Sequence, residues 1–372
     1  MKFVCIVAEY NPLHLGHVAH LAASKSLGDA TLVVMGGDFC QRGLSSVLDK
    51  YARAEHAVKA GADIVVELPT LHTVHCAEQF ARGAMRLIDL LPFSTLSFGS
   101  ECGDLDALSR TAILLDDPDV DRRTKELITA GIAYPRARGQ AISEYSADHN
   151  ISVVDVTLPN NILALEYIRA AGGRHPLFTL MRNSDYHSAT RACSSSYIRD
   201  ALAKGERFDD VVPDYVRLDL TAYAPPADVL YLAALRSHDK AYFEGLLDNV
   251  EGLSNRVWHA AMDNTTLSSA IETAMTKRYS RARICRLFTA ALLDLRQVDF
   301  DRAQEEAPYF NVLAVRRDRT SLIGALARYA DVYTTHEGLS AGPTSAIIDK
   351  RAHDVYQLLT SSKSPNAVRI VD

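Results

Sequence analysis

Two histidines near the amino terminus have a spacing suited to binding phosphate. His14 and His17 flank Gly16, and they follow the apolar run F-V-C-I-V-A at residues 3–8. A glycine lets a phosphate approach the backbone, and the start of a following helix favours anions. Such a site can hold the phosphates of a nucleotide and stabilise charge that develops on the α-phosphate during attack. The alternative is that two of the thirteen histidines happen to lie near a turn.

A run of hydroxyl groups followed by an arginine suggests a second phosphate-binding element. Ser194, Ser195 and Ser196 precede Arg199 at the predicted start of a helix. Hydroxyls and free N–H groups there suit β- and γ-phosphates, and Arg199 could neutralise a departing pyrophosphate. Taken alone, this run is an ordinary serine N-cap with a surface arginine. Together with H-x-G-H it favours nucleotidyl transfer, with His14, His17 and Arg199 as the catalytic residues.

A cluster of positive charge, which we call the basic segment, spans residues 276–286 and contains no acidic residue. On a helix these charges would cover one broad side, and Tyr279 could stack on an unpaired base. In a chain of net charge −6, which is not a globally basic protein, such a surface could bind RNA phosphates. The alternative is a solvated helix face. The predicted RNA-binding residues are Lys277, Arg278, Arg281, Arg283 and Arg286, and Arg256 could belong to the same surface.

Short apolar runs alternate with amphipathic stretches in the first hundred residues. The runs at 3–8, 30–37, 62–69 and 95–100 are typical of buried parallel strands, and helical spacing separates them. This alternation predicts a doubly wound parallel α/β sheet. The predicted catalytic domain covers residues 1–224, with a helical insertion at about 103–150. A mostly α-helical domain, the candidate for RNA binding, follows at 225–372.

Length and composition limit the classes of protein that are possible. A chain of 372 residues with 48% hydrophobic and 23% charged residues predicts two ordinary globular domains. The six cysteines are scattered without a C-x-x-C pair, which suits free thiols in a reducing compartment. The first apolar run is too short for a signal peptide, and no stretch is long enough to span a membrane. We therefore expect a cytoplasmic protein that has no metal site of its own and no stable protein partner.

Several longer motifs make the chain resemble a known family. Together, His14-x-Gly16-His17 and S-S-S-Y-I-R resemble the H-I-G-H nucleotidylyltransferase superfamily. More narrowly, the chain is similar to the bacterial tRNA(Met) cytidine acetate ligase family along nearly its whole length. The motifs that carry this resemblance are V-A-E-Y-N-P-L-H-L-G-H (7–17), M-G-G-D-F-C-Q-R-G (35–43), D-I-V-V-E-L-P (63–69), F-A-R-G-A (80–84), F-G-S-E-C-G-D (98–104), P-N-N-I-L-A-L-E-Y (159–167), E-G-L-S-N-R (251–256) and T-K-R-Y-S-R-A-R-I-C-R (276–286).

The resemblance implies an enzyme that uses ATP to convert acetate to acetyl-adenylate. It would then acetylate N4 of the wobble cytidine in elongator methionine tRNA. Carried over by position, the ATP site comprises the first motif and three residues further along, and Ser195 and Ser196 add the hydroxyls described above. The implied residues are Val7, Ala8, Glu9, Tyr10, Asn11, Pro12, Leu13, His14, Leu15, Gly16, His17, Val18, Ala19, His20, Gly99, Asn160 and Arg182.

The chain departs from the family pattern at two places. The usual Q-R-G-E-P-A reads Q-R-G-L-S-S at residues 41–46, and the usual N-N-I-L-G ends in Ala164.

We also expect Mg²⁺ to accompany ATP because of the charge of its phosphates.

The chemistry of the two steps leaves the proton acceptor open. Acetate is already ionised at neutral pH, so adenylation needs no base. In the second step the amine proton could go to the phosphate leaving group, or to Glu9 or Asp38, which could equally be structural carboxylates.

Two other functions are compatible with the residues alone. One is a nucleotidylyltransferase that acts on a small phosphorylated acceptor. The other is a non-catalytic tRNA-binding protein that keeps a vestigial nucleotide pocket.

Overall fold

Five parallel strands from the first half of the chain form the centre of the fold. In the computed structural model, which describes residues 1–132, 134–182, 194–250, 252–363 and 366–372, their order is β5-β4-β1-β2-β3. The four predicted apolar runs match β1 to β4, so the predicted parallel α/β sheet is confirmed. The strands are β1 Phe3–Ala8, β2 Ala30–Gly36, β3 Ile64–Leu68, β4 Ser94–Ser100 and β5 Leu177–Met181.

Helices cover both faces of this sheet, as a doubly wound fold requires. Alternate residues of β1 belong to different cores: Cys5 and Val7 to the core that includes α4 and α8, and Ile6 to the core that includes α1 and α2. Since both faces are buried, the strands read as continuous apolar runs. The helices named here and their neighbours are α1 Leu15–Ser24, α2 Lys50–Lys59, α3 Thr70–Thr73, α4 Ala77–Ile88, α5 Leu105–Leu114, α6 Pro118–Thr129, α7 Tyr134–His149, α8 Pro159–Ala171, α9 Ser195–Lys204 and α10 Asp214–Leu220.

A bundle of helices with its own apolar core follows after residue 225. Its helices are α11 Val229–Arg236, α12 Leu253–Asp263, α13 Leu267–Ala274, α14 Arg281–Leu293 and α15 Gln297–Glu305. Sequence analysis placed the whole basic segment on a helix, but the backbone turns between α13 and α14. The Ser280 hydroxyl accepts the Arg283 N–H and starts α14 as its N-cap. Residues 276–280 of the basic segment therefore lie on a turn.

The carboxyl-terminal residues return to the sheet. Strand β6 (Phe310–Arg316) pairs antiparallel with β3, and β7 (Val332–Tyr333) and β8 (Arg369–Val371) each pair with β6. Helix α16 (Ser321–Leu326) lies between β6 and β7, and α17 (Thr344–Thr360) precedes β8. Sequence analysis predicted no strand here, because the pairing depends on the open edge of β3, far away in the chain. The domain boundary at 224/225 stays a prediction.

Within the part of the chain that the structure describes, no helix is long and apolar enough to cross a membrane. Cys5, Cys40, Cys76, Cys102 and Cys285 are free thiols. Cys193 lies outside the described residues.

Candidate active site

The loop after β1 is held in place by backbone and side-chain hydrogen bonds. Asn11 accepts the Val47 N–H at its Oδ1 atom (2.9 Å) and donates from Nδ2 to the Cys40 sulfur (3.0 Å). Tyr10 has a positive φ of 47°, and its ring packs edge-on against His17 at 4.9 Å. This loop therefore leads from the carboxyl end of β1 directly into the H-x-G-H motif, at the sheet edge where α/β proteins bind ligands.

His14 and His17 form a reciprocal cap at the start of α1. The His14 Nδ1 atom accepts the Gly16 N–H (3.1 Å), and the His17 Nδ1 atom accepts the His14 N–H (3.3 Å). The two rings stack with centroids 3.7 Å apart. Because each Nδ1 atom accepts a hydrogen bond, the proton of each neutral ring belongs on Nε2. Both imidazoles can therefore present an Nε2–H donor.

The first-turn N–H groups of α1 are used inside the protein. The Leu15 N–H donates to the Val211 carbonyl (3.0 Å), and the N–H groups of His17 and Val18 donate to the His14 carbonyl (2.8 and 3.2 Å). Sequence analysis expected free N–H groups to face the phosphates. In the structure, the side chains that flank this turn are the donors positioned for that role.

The three histidines of α1 and its cap are neutral at pH 7. Burial, and then the Arg182 charge, lowers the pKa of His14 to about 3 and that of His20 to about 4. Burial, His14, Arg182 and His20 likewise hold the pKa of His17 well below its ordinary value. His20 Nε2 lies 2.9 Å from the Ser97 hydroxyl on β4. These rings can thus donate hydrogen bonds, but they carry no charge.

Arg182 brings positive charge to the imidazole pair. Its Nη1 atom donates to Asn160 Oδ1 (2.7 Å), and its Nη2 atom lies 3.5 Å from His14 Nε2. A Cβ atom on Gly99 would lie 2.9 Å from Arg182 Cγ, so glycine is needed for the side chain to pass. An Nε2–H and a guanidinium N–H this close are two donors that a phosphate oxygen can satisfy together.

Asn160 is oriented by a carboxylate that sequence analysis did not single out. Glu101 Oε1 accepts from the Asn160 N–H (3.0 Å) and from its Nδ2 atom (2.7 Å), and Oε2 accepts the Asn161 N–H (2.6 Å). Glu101 thereby caps the start of α8, as acidic groups at helix N-termini do. The amide oxygen of Asn160 then has to face Arg182.

The serine–arginine element contacts the first motif. Ser194 is the N-cap of α9, and the Ser195 hydroxyl donates to the Pro12 carbonyl (3.0 Å). Arg199 donates to the Asn11 carbonyl (2.5 Å) and to the Ser196 hydroxyl (3.1 Å). These bonds hold the loop after β1. A contact of Arg199 with pyrophosphate stays a prediction.

The other predicted residues of the first motif lie around this loop. Val7 and Ala8 end β1, and Leu13 is fully buried in the core that contains α1. Leu15, Val18 and Ala19 lie on α1, where they are half-buried.

Arg53 is a buried cation that sequence analysis missed. It lies on α2 with no exposed surface, and its guanidinium donates to the carbonyls of Glu9 (2.6 Å), Gly36 (3.1 Å), Leu48 (2.9 Å) and Gly37. One side chain therefore joins the ends of β1 and β2. The sequence signal that could have revealed it is an arginine in the first turn of α2, a helix in which most other residues are buried.

The two candidate proton acceptors have different surroundings. Asp38 is buried, accepts the Lys50 N–H (2.7 Å) and lies 2.7 Å from His353 Nδ1 on α17. Burial alone would raise its pKa, but His353 and Lys50 lower it to about 2, which makes it a poor base. Glu9 is half-buried, accepts the Gln41 N–H at Oε1 (2.6 Å), and burial raises the pKa of its carboxyl.

The exposed part of the basic segment carries cations without acidic partners. Lys277 and Arg278 lie on the turn before α14, and Arg281 is its first residue. All three are exposed, and none forms an ion pair within the described residues. They are therefore free to bind external phosphates.

The inner part of the basic segment is committed to the protein. Asp248 accepts from Arg286 Nε (2.8 Å) and Arg283 Nη2 (3.1 Å), and Arg286 also donates to the Gln41 carbonyl (3.3 Å). Arg286 is only 6% exposed. This burial departs from the exposed helix face that sequence analysis assumed, because Asp248 reaches the segment from a distant part of the chain.

Tyr279 and Arg256 lie at the edge of a groove of about 690 Å³, and both contact other parts of the protein. Tyr279 packs in the core of the helical bundle, so a stacking role would need its ring to move out. Arg256 donates to the carbonyls of Thr273 (3.1 Å) and Ala274 (2.7 Å) at the end of α13. The groove is also lined by His259, Lys277 and Arg278.

Comparison with known proteins gives a consistent result. The family model described as HIGH Nucleotidyl Transferase matches residues 1–369. The tRNA(Met) cytidine acetate ligase of Syntrophotalea carbinolica is 36% identical over 316 residues, which cover 80% of this chain and 75% of the relative. The protein of the same name from Bacillus subtilis is 30% identical over 386 residues, with 96% and 92% covered.

A solved structure resembles the fold over nearly its full length. It is Thermotoga maritima TmcAL bound with alpha-thio ATP, with a TM-score of 0.84, 26% identity, and 97% of this chain and 95% of that chain covered. The family that the sequence motifs indicated is thereby confirmed. The chain belongs to the HIGH nucleotidyl transferase family and, within it, to the tRNA(Met) cytidine acetate ligases.

Proposed function

We propose that this protein is an ATP-dependent acetate ligase that acetylates N4 of the wobble cytidine in elongator tRNA(Met). Family membership supports the ligase activity, and the name of the relatives supports a methionine tRNA as substrate. The observation that carries the proposal is the meeting of two donors, Arg182 Nη2 and His14 Nε2, 3.5 Å apart beyond β1. That position suits the α-phosphate of ATP.

The reaction proceeds in two steps, adenylation of acetate and transfer of the acetyl group. An acetate oxygen attacks the α-phosphorus of ATP, a P–O bond forms, and pyrophosphate leaves. The cytidine N4 atom then attacks the acetyl carbon, the bond to AMP breaks, and the amine loses one proton. Activation is needed because the N4 lone pair is delocalised into the ring and does not attack free acetate.

The residues of the nucleotide site divide this work. His14, His17 and Arg182 donate hydrogen bonds to the phosphates, and Asn160 orients the Arg182 guanidinium. Arg199 and Ser195 hold the loop after β1. Neutral imidazoles suit the first role, because they keep their Nε2–H throughout the working pH range. Glu9 and the phosphate of departing AMP are the candidate acceptors for the amine proton.

Mg²⁺ would enter the site with its nucleotide. Within the described residues no group of three or more His, Cys, Asp or Glu side chains could hold a metal ion. The phosphates of ATP supply the hard oxygen ligands that Mg²⁺ prefers. The scattered free thiols support a cytoplasmic location as part of the same proposal.

Mass spectrometry of nucleosides tests the proposal directly. Elongator methionine tRNA is incubated with the protein, ATP and isotopic acetate, and the expected product is labelled N4-acetylcytidine at the wobble position. Pyrophosphate release with acetate is compared with release in the presence of pantetheine or nicotinate phosphates. Release with a phosphorylated acceptor and none with acetate would contradict the proposal, and so would tRNA binding without any ATP turnover.

The role of the imidazole pair has its own test. His14→Ala should abolish acetyl-adenylate formation and spare tRNA affinity. His149→Ala, on an exposed part of α7, is the matched control. Unchanged ATP-dependent acetylation in the His14 variant would refute the assigned role.

A further inference from the structure

The turn that carries Arg42 is closed and rigid. The Gly43 N–H donates to the Cys40 carbonyl (2.7 Å), and the Cys40 N–H donates to the Leu44 carbonyl (2.9 Å). Gly43 has a φ of +93°, which favours glycine. Arg42 thus lies at the tip of a turn with little backbone freedom.

One side of this turn rests directly on α14. The Thr289 hydroxyl donates to the Gly43 carbonyl, and Arg286 donates to the Gln41 carbonyl (3.3 Å). A Cβ atom on Gly43 would lie 2.2 Å from the backbone nitrogen of Arg286. No other residue can bring the turn this close to α14, the helix that begins with the exposed Arg281.

The other side of the turn is attached to the nucleotide site. The Gln41 N–H donates to Glu9 Oε1 (2.6 Å), and its side chain donates to the His75 carbonyl (3.3 Å). The residues on both sides of Arg42 are therefore fixed, one to the carboxyl end of β1 and the other to the helical bundle. The position of Arg42 between these two regions is set by the fold.

The Arg42 side chain is exposed, and within the described ranges no carboxylate forms an ion pair with it. Its charge still reaches the nucleotide site: burial raises the pKa of the Glu9 carboxyl, and Arg53, Arg199 and Arg42 oppose that rise. An exposed cation on this turn is positioned to bind an anion that lies between α14 and the nucleotide site.

We propose that Arg42 binds the RNA phosphate backbone next to the nucleotide that is modified. This inference rests on the proposed function. RNA phosphate is favoured over the ATP phosphates because the turn that carries Arg42 contacts α14, the helix that begins with the exposed Arg281, as well as Glu9. The turn then sets the spacing between a phosphate contact and the acetyl group.

Steady-state kinetics of Arg42→Ala test this role. We expect the KM for tRNA to rise on the order of tenfold, and at least fivefold more than the KM for ATP in tRNA-free, acetate-dependent ATP–pyrophosphate exchange. The slope of log binding constant against log salt should fall by about 0.7–0.9, the loss of one phosphate contact. Arg42→Lys, which keeps a point charge, should restore most of the slope. Arg122→Ala, an exposed arginine on α6, is the matched control.

The outcomes separate this inference from the proposed function. Equal rises in both KM values would assign Arg42 to the nucleotide phosphates and overturn the inference, as would an unchanged salt slope. If the wild-type protein forms no acetylcytidine, the proposed function fails, and the salt dependence of tRNA binding still decides the role of Arg42.

Discussion

Arginines in the nucleotide site are hydrogen-bonded to the protein, whereas those at the outer end of the basic segment are exposed to solvent. Arg53 and Arg199 donate to backbone carbonyls of the loop after β1, and Arg182 donates to Asn160. Arg278 and Arg281 have no carboxylate partner within the described residues. The same residue type is fixed by hydrogen bonds in one region and exposed in the other.

This difference matches what each region is proposed to bind. A reacting phosphate is stabilised best by donors that do not reorganise when charge develops. A long RNA backbone is bound by several exposed cations that release counterions and adapt to its shape. Loss of a fixed arginine should therefore change stability or catalysis, and loss of an exposed one should change the affinity for RNA and its salt dependence.

The largest effect is expected for Arg53, the most buried of these arginines. Arg53→Ala leaves four carbonyls without their donor and should lower the free energy of unfolding by about 3–5 kcal/mol. Arg53→Lys should recover only part of this, because one ammonium group cannot reproduce the planar fork. Urea unfolding measures both variants.

A surface arginine provides the control for this experiment. Arg122 is exposed and pairs with Glu126 one turn away, so Arg122→Ala should change the free energy of unfolding by less than about 0.5 kcal/mol. An Arg53→Ala variant within about 1 kcal/mol of wild type would mean that the four carbonyls find other donors, and the contrast between the regions would fail.

Arg182 should affect catalysis more than folding. Arg182→Ala removes the guanidinium beside His14 and should lower the rate of acetate-dependent ATP–pyrophosphate exchange by about 10²–10³-fold. Lysine at this position keeps the charge but cannot contact Asn160 and a phosphate together, so it should rescue weakly. Arg174→Ala, which precedes β5 whereas Arg182 follows it and which pairs with Asp89, serves as the control. A loss below tenfold would remove Arg182 from the phosphate site.

The sequence revealed the elements that depend on local pattern. Continuous apolar runs predicted β1 to β4 to within two residues, and the spacing around Gly16 identified the imidazole pair. Family motifs supplied Asn160 and Arg182. In each case the signal lies within about ten consecutive residues.

What the sequence did not reveal depends on distant partners. Strand β6 forms against an edge of β3 about 250 residues away, so no local pattern marks it. Arg53 acquires its role from carbonyls of separate segments, and Arg286 loses its exposure to Asp248. The sequence shows that both residues are cations, but only the fold decides which cations remain exposed to solvent.

The exposed cations of the basic segment allow the opposite test. Replacing Lys277, Arg278 and Arg281 together by Ala should weaken tRNA binding by about 10–100-fold and lower the salt slope by about 2–3. The rate of tRNA-free exchange should stay close to that of wild type. The same change at Arg122, Arg123 and Lys125, which pair with acids on α6 and α7, is the control. Equal slopes in the two triple variants would contradict a role in RNA binding.

A smaller effect is expected where the chain departs from the family pattern. Ala164 is fully buried within α8, where the family usually has glycine. Ala164→Gly should lower the free energy of unfolding by about 1–2 kcal/mol, from helix propensity and one lost methyl group. Ala147→Gly, exposed near the end of α7, should cost less. A stabilised Ala164→Gly variant would mean that the alanine strains the packing of α8.

The smallest change is expected in the protonation of His14 and His20 when the pH is varied. Because the pKa values of His14 and His20 lie at about 3 and about 4, both rings should stay neutral from pH 8 to pH 5.5. Nitrogen-15 chemical shifts of the two imidazoles measure this. Protonation of either ring above pH 6 would contradict the burial that lowers their pKa values.

The same depressed pKa values give stability a defined pH dependence. In the unfolded chain these histidines take up protons below about pH 6.5, whereas in the folded chain they do not until about pH 4 or 3. The free energy of unfolding should therefore be fully present near pH 7 and fall as the pH drops from about 6.5 towards 4. His20→Asn, which cannot titrate, should show a shallower fall in urea unfolding at pH 7 and pH 5. No such change is expected from the arginines at the outer end of the basic segment, which keep their charge throughout this range.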